Sequence, residues 1–180
     1  AYTLELSSKG TAANAGLVGL GKTQRLLLTA TMLDEYSHEE IEIIIAHELG
    51  HHQHHDLPRL LVFQAAVWLP GLFAASKIMA FVTEPLGFNG VADTASLPML
   101  ILTMAVMGFL SLPLSNGYRR WLENLADEYA LDLTDNPAGF TNVITKLTNQ
   151  NLSEAHPGRL VELLNGDHPN YYRRLESVRD

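Results

Sequence analysis

The chain has no cysteine, which excludes disulfides and thiolate metal sites and leaves nitrogen and oxygen to hold any metal. Basic residues are also scarce: 12 Lys and Arg stand against 20 Asp and Glu, giving a net charge of -8. No Lys/Arg cluster is long enough to follow a phosphate backbone, the nearest being Arg119-Arg120, so a nucleic-acid partner is excluded. Internal repeats and low-complexity tracts are absent. Charge is missing from two long stretches: Leu60 to Val82 holds only Lys77, and Leu97 to Leu114 holds none. The chain opens at Ala1 on neither a methionine nor a basic-then-apolar leader, and the expectation is a fragment of something longer.

What is present is enough apolar material, 47% of 180 residues, for one real core and about one domain. The first 33 residues carry β-leaning runs broken by Gly10, Gly16, Gly19 and Gly21, which predicts a small hairpin or meander and the only sheet. Ser37 followed by Glu40 is a capping box, and it opens a helix expected over 37–56, with Pro58 free to begin the next. The two uncharged stretches predict a hydrophobic helical hairpin over 58–114, edged by Pro98 and Pro113. A membrane span needs about 20 apolar residues, a length the first run reaches and the second nearly reaches. Arg59, Arg119 and Arg120 flank the hairpin's open ends, while the connection between its arms holds only Glu84 and Asp93. Positive-inside asymmetry therefore puts the helix before the hairpin on the cytoplasmic side of a membrane. A third helix is expected over 117–135, and C-terminal helices over 138–180. The fold class is thus α+β, mainly helical.

The chemistry concentrates in "HELGHHQHH". His47 and His51 are four residues apart, so a helix projects both from one face, one turn apart, where they can bite one tetrahedral ion. Zinc suits that donor pair, one ion per chain. Glu48 is turned about 100° from His47 and addresses a water beside the ion, as a general base. A catalytic zinc site takes a third protein ligand. His54 and His55 lie too far along the same helix, and with His52 and Gln53 they read as a solvated polar end. Glu123 is the better donor, with Asp127 one turn on positioned to accept the far N–H of a ligating histidine. An E-x-x-x-D on a helix is otherwise ordinary surface charge.

"AHELGHHQHHDLPRLL", the hydrophobic hairpin, "ENLADEYAL" and "DHPNYYRRL" occur here in the order found in the integral-membrane zinc metallopeptidases related to the type I CAAX prenyl protease, a clan that includes the bacterial heat-shock membrane protease. "NAGLVGLGKTQRLLLTATML" resembles the strand region of that family, so the likeness covers nearly the whole chain. It implies zincin-like catalytic helices, His47, His51 and Glu123 as zinc ligands, Glu48 as catalytic base and Asp127 behind a histidine. It also implies that His168 stabilises the transition state, with Arg174 pairing a site carboxylate or holding that histidine. His168 or Asp167 as a helix cap, and Arg173 as the working arginine, remain open at this point. The strand around Asn14, Ala15 and Gly16 is the expected edge for an extended peptide. Thr29 and Ala30 stand where many relatives have an Asp, and Asn170 where many have a second proline. The activity implied is hydrolysis of extended or membrane-associated polypeptides, prenylated ones included, with membrane lipid as a second partner. The competing readings are a non-catalytic zinc-binding membrane scaffold and a metal-dependent hydrolase of other amides or esters.

Overall fold

The computed structural model describes residues 2–4, 15–19, 23, 25–152, 154–176 and 178. Three short strands, β1 (Tyr2–Leu4), β2 (Ala15–Val18) and β3 (Arg25–Thr29), form a sheet in the order β1-β3-β2. β2 and β3 make the expected antiparallel hairpin, with Ala15 opposite Leu28 and Val18 opposite Arg25. β1 departs from a meander by lying parallel to β3, Tyr2 opposite Leu27. Pairing between strands so far apart in sequence leaves no local signature. β2 is left with one neighbour, so its outer edge is open among the described residues.

After α1 (Ala30–Glu35), the helix with the histidines, α2 (His38–Gln53), begins at the capping box: Glu40 N–H donates to Ser37 Oγ at 3.2 Å and Ser37 N–H to Glu40 Oε2 at 2.8 Å. α2 lies between the sheet and α5 (Pro137–Gln150). Leu28, Met32, Tyr36, Ile43, Ile44, Ala46, Phe140, Val143 and Ile144 form the core there. The aliphatic run before His47 is thus what anchors the helix.

α2 turns into α3 (Asp56–Val82) through only His54 and His55. His55 adopts the left-handed conformation, φ 57°, a region in which histidine is enriched among non-glycine residues. A 3-10 turn (Thr94–Ser96) then leads into α4 (Leu97–Thr134). The second hairpin arm and the expected helix over 117–135 are therefore one continuous rod, which passes through Pro113. That proline deletes one backbone donor at a cost of about 3 kcal/mol, which packing against α2 and α3 along the rest of the rod offsets. Both hairpin helices are long and apolar enough to cross a membrane, and little of either apolar stretch is covered by protein. Leu69, Phe73, Phe81, Ile101 and Leu110 all point outward with more than half their surface free.

Two short helices close the chain, α6 (Arg159–Asn165) against α4 and α7 (Tyr171–Glu176) against α5. Tyr171 fixes α7: Thr145 Oγ1 already donates to the Thr141 carbonyl, so the Tyr171 hydroxyl, 3.1 Å away, is the donor to Thr145.

Candidate metal centre

α2 and α4 approach closely because Gly50 faces the backbone of Ala126; a Cβ at position 50 would lie 3.0 Å from Ala126 Cα. This contact sits between His47 and His51 on one helix and between Glu123 and Asp127 on the other. Both pairs are consequently driven together. His47 Nε2 and His51 Nε2 are 3.1 Å apart, and Glu123 reaches them at 3.5 and 3.4 Å through its two oxygens. One ligand atom from each of the three residues falls within a span of 4.8 Å.

The far ring nitrogens show what this arrangement is for. His47 Nδ1 lies 2.8 Å from Asp127 Oδ1, and His51 Nδ1 lies 2.8 Å from Asp56 Oδ2. Each carboxylate calls for an N–H at Nδ1, which leaves both Nε2 atoms as lone-pair acceptors pointed at each other. Two acceptors and a carboxylate repel unless a positive charge, a metal ion or a proton, lies among them. Glu123 Oε2 repeats the point, being buried without a hydrogen-bond partner among the described residues. Ligands about 2.0–2.1 Å from a tetrahedral ion sit about 3.3 Å apart, close to the separations here. The donor set of two imidazoles and one carboxylate therefore fits a zinc-type ion.

Asp127 does two jobs. It is 1% exposed and takes a bidentate pair from Arg174, Nε to Oδ2 at 2.7 Å and Nη2 to Oδ1 at 2.5 Å. Burial alone pushes the His47 imidazole below its ordinary range, but the neighbouring Asp127 and Glu123 carboxylates outweigh it and hold the pKa up at about 9. Near neutral pH an arriving cation therefore displaces a proton from His47. Burial also works against the Arg174 charge, and the Asp127 carboxylate raises its pKa regardless, so the pair stays ionised.

A cavity of about 880 Å³ opens on this cluster, and His47, Glu48, Glu123, His168 and Ala15 all line it. Glu48 is half-buried there with no hydrogen bond or ion pair to any described residue, so its carboxylate is uncommitted. His168 Nε2 stands 3.5 Å from Glu123 Oε1, at the mouth. Neither His168 nor Asp167 caps α7; the Asn170 side chain does, accepting from Arg173 N–H at 3.1 Å. Of the two arginines, Arg174 meets the site carboxylate, while Arg173 lies 3.4 Å from Glu162. Ala15 and Gly16 are on β2; Asn14 falls outside the described residues.

Asp56 was not foreseen. It lies five residues beyond His51 and would point away on a continuous helix, but the turn at His55 folds α3 back so that it meets the ring. The signal in the sequence was a lone acid at the start of the helix after the histidines. His52, Gln53 and His55 are exposed, as expected of a polar end, whereas His54 is half-buried edge-on against Tyr129.

All of residues 1–180 match the model of peptidase family M48. The chain is 31% identical over 179 residues to the uncharacterized metalloprotease YhfN of Bacillus subtilis, covering 97% of this chain and 42% of that protein. It is 27% identical over 181 residues to protease HtpX of Pseudomonas fluorescens, 93% of this chain and 61% of that one. With a CAAX prenyl protease 1 homolog of Oryza sativa it shares 26% over 182 residues, 99% of this chain and 43% of that one. It thus spans roughly half the length of these relatives. The crystal structure of S. mikatae Ste24p superposes with a TM-score of 0.80 at 20% identity, over 98% of this chain and 44% of that one, which establishes a shared fold.

Proposed function

Because the chain belongs to peptidase family M48, we propose that it is the catalytic unit of a longer, membrane-bound zinc metalloendopeptidase that cleaves extended polypeptide. The observation that carries the proposal is the pair of Nε2 atoms converging on the Glu123 carboxylate, with Asp127 and Asp56 each 2.8 Å from the Nδ1 atom of one ring. His47, His51 and Glu123 would hold one zinc ion, which when bound supplies Lewis acidity that brings the pKa of a water to about 7. Glu48, uncommitted at the cavity wall, takes the proton from the attacking water and returns it to the amine nitrogen as the peptide bond breaks. His168 donates from Nε2 to the scissile carbonyl oxygen as that oxygen gains negative charge. Asp127, braced by Arg174, keeps the His47 ring in its tautomer and orientation, and Asp56 does the same for His51.

The substrate backbone adds to the outer edge of β2, on which Ala15 lines the cavity. The exposed apolar faces of α3 and α4 lie in a bilayer. Arg59 and Arg119 at the open end and Glu84 and Asp93 in the far connection support a zinc side that faces the cytoplasm. Substrates that are prenylated or membrane-associated reach the site from that surface.

The test is Glu48→Gln in the chain purified in detergent. The variant should keep one equivalent of zinc by metal analysis and lose about 10²- to 10⁴-fold in hydrolysis of a labelled unfolded protein. A wild type that holds one zinc and cleaves no such protein is a scaffold, and one that prefers esters is a different hydrolase.

A further inference from the structure

The loop carrying His168, residues 166–170, is fastened to α4 on both sides. The downstream fastening is the Arg174–Asp127 pair already described. Upstream, Arg120 Nη1 donates to the carbonyls of Glu162 at 2.8 Å and Gly166 at 2.5 Å. Asn116 Nδ2 donates to the carbonyls of Leu164 at 2.7 Å and Leu163 at 3.3 Å. Leu163 and Leu164 are among the terminal acceptors of α6, which ends at Asn165, while the Glu162 carbonyl also accepts the Gly166 N–H. A guanidinium is also the favourable charge at a helix C-terminus. No carboxylate among the described residues pairs with Arg120, so its contacts here all serve this helix end.

Asn116, Arg120, Glu123 and Asp127 are spaced i, i+4, i+7 and i+11, a single stripe along α4. One stripe therefore carries the upstream fastening, the proposed metal ligand and the downstream fastening. Gly166 suits its place, since a Cβ there would lie 2.8 Å from the Glu162 carbonyl oxygen. Two residues on, His168 is exposed, and besides Glu123 its one polar contact among the described residues is its own neighbour Asp167. Its position is thus set by the backbone it stands on.

We propose that Arg120, assisted by Asn116, is a positioning residue for the hydrolysis: it fixes the backbone beneath His168 and so sets where the imidazole meets the scissile carbonyl. This rests on the reading of His168 as the donor. Its action should appear in kcat and not in KM, and only when His168 is present.

The experiment compares zinc-loaded wild type, His168→Ala, Arg120→Ala, the double variant, Arg120→Lys and Asn116→Ala, all in detergent. A fluorogenic peptide gives kcat and KM, metal analysis gives zinc content, and hydrogen exchange reports on the amides of 166–170. Removing an oxyanion donor costs about 10²- to 10³-fold in kcat, so His168→Ala should fall in that range. Arg120→Ala should lose about tenfold or more in kcat with KM and zinc unchanged, exchange faster across 166–170 but not in α2, and cost nothing further when His168 is already Ala. Arg120→Lys should lie between, because a strongly hydrated ammonium on a flexible stem keeps the charge at the helix end without the fixed planar placement of the Nη1 donor. Additive losses, or exchange unchanged at 166–170, overturn the positioning role while the His168 reading stands. A His168→Ala variant of normal kcat overturns the donor reading and the proposal together. If Arg120→Ala does not fold, Arg120→Lys and Asn116→Ala decide between the same outcomes.

Discussion

Replacing Gly50 with alanine tests whether the close approach of α2 and α4 is what spaces the proposed metal ligands. A Cβ there would meet Ala126 Cα at 3.0 Å, Ala126 O at 3.2 Å and Tyr129 Cβ at 3.2 Å, and two of the three are backbone atoms that cannot swing aside. The helices must part by several tenths of an ångström. Overpacking of this kind costs about 1–3 kcal/mol, against a gain of about 1 kcal/mol from replacing glycine in a helix. The net loss of about 1 kcal/mol lowers Tm by about 2–4 °C in a chain of this size. The larger effect falls on the metal, because ligand distances tolerate only about 0.2 Å and the widening separates His47 and His51 from Glu123. Zinc affinity, measured by competition with a chromogenic chelator, should fall tenfold or more, about 1.4 kcal/mol. Gly71→Ala is the control: its Cβ meets only Met107 Cε at an ordinary 3.7 Å, and zinc affinity should not change. A Gly50→Ala chain with wild-type zinc affinity and a raised Tm would refute the reasoning, since helix propensity alone would then explain it.

Asp56→Asn and Asp127→Asn should each lower zinc affinity about 10- to 100-fold by chelator competition. They should differ in stability, because Asp127→Asn breaks a buried bidentate ion pair with Arg174, a change that costs about 3–5 kcal/mol, whereas the partner near Asp56, Arg59, is half-exposed; equal melting temperatures would contradict this. Glu40 accepts from Lys146 at 3.0 Å, and although burial works against its charge, the Ser37 backbone and Lys146 hold its pKa below the usual carboxylate range. A depressed folded pKa gives stability that is present above the unfolded value and lost as pH falls through the folded one. Glu40→Gln keeps the capping box, so its deficit of up to about 1 kcal/mol at neutral pH should vanish in acid, and a deficit independent of pH would count against the ion pair. Arginine at Leu69 or Leu110, both outward-facing, should cost about 2.5–3.5 kcal/mol of insertion and shift the protein from carbonate-resistant membrane to supernatant, and unchanged extraction would count against a buried hairpin.

What was legible in the sequence was what repeats locally. Ser37 with Glu40 marks the start of α2, and the spacing of His47 with His51 and of Glu123 with Asp127 gives same-face pairs wherever a helix forms. Apolar length alone marked the hairpin. What escaped depends on chain reversals. Asp56 meets His51 only because His55 takes a left-handed turn, and β1 joins β3 in parallel although β2 intervenes in the chain. Arg120 read as a flanking charge because its partners are backbone carbonyls, which have no letter in the sequence. The boundary expected near Pro113 vanished for the opposite reason, since proline weakens a helix by a fixed local amount and tertiary packing outweighs it.

That continuity has a mechanical consequence for the site. α4 runs unbroken from Leu97 to Thr134, so the rod whose first half is apolar and outward-facing also carries Asn116, Arg120, Glu123 and Asp127 in one line. Displacing the apolar half by rotation about its axis would turn that whole stripe together, moving Glu123 relative to His47 and the His168 loop relative to both. α2 resists such rotation only through its own contacts with α4, of which Gly50 against Ala126 is the tightest glycine contact. A change in the seating of the hairpin should therefore shift the proposed metal geometry, with the packing at Gly50 as the contact that opposes it.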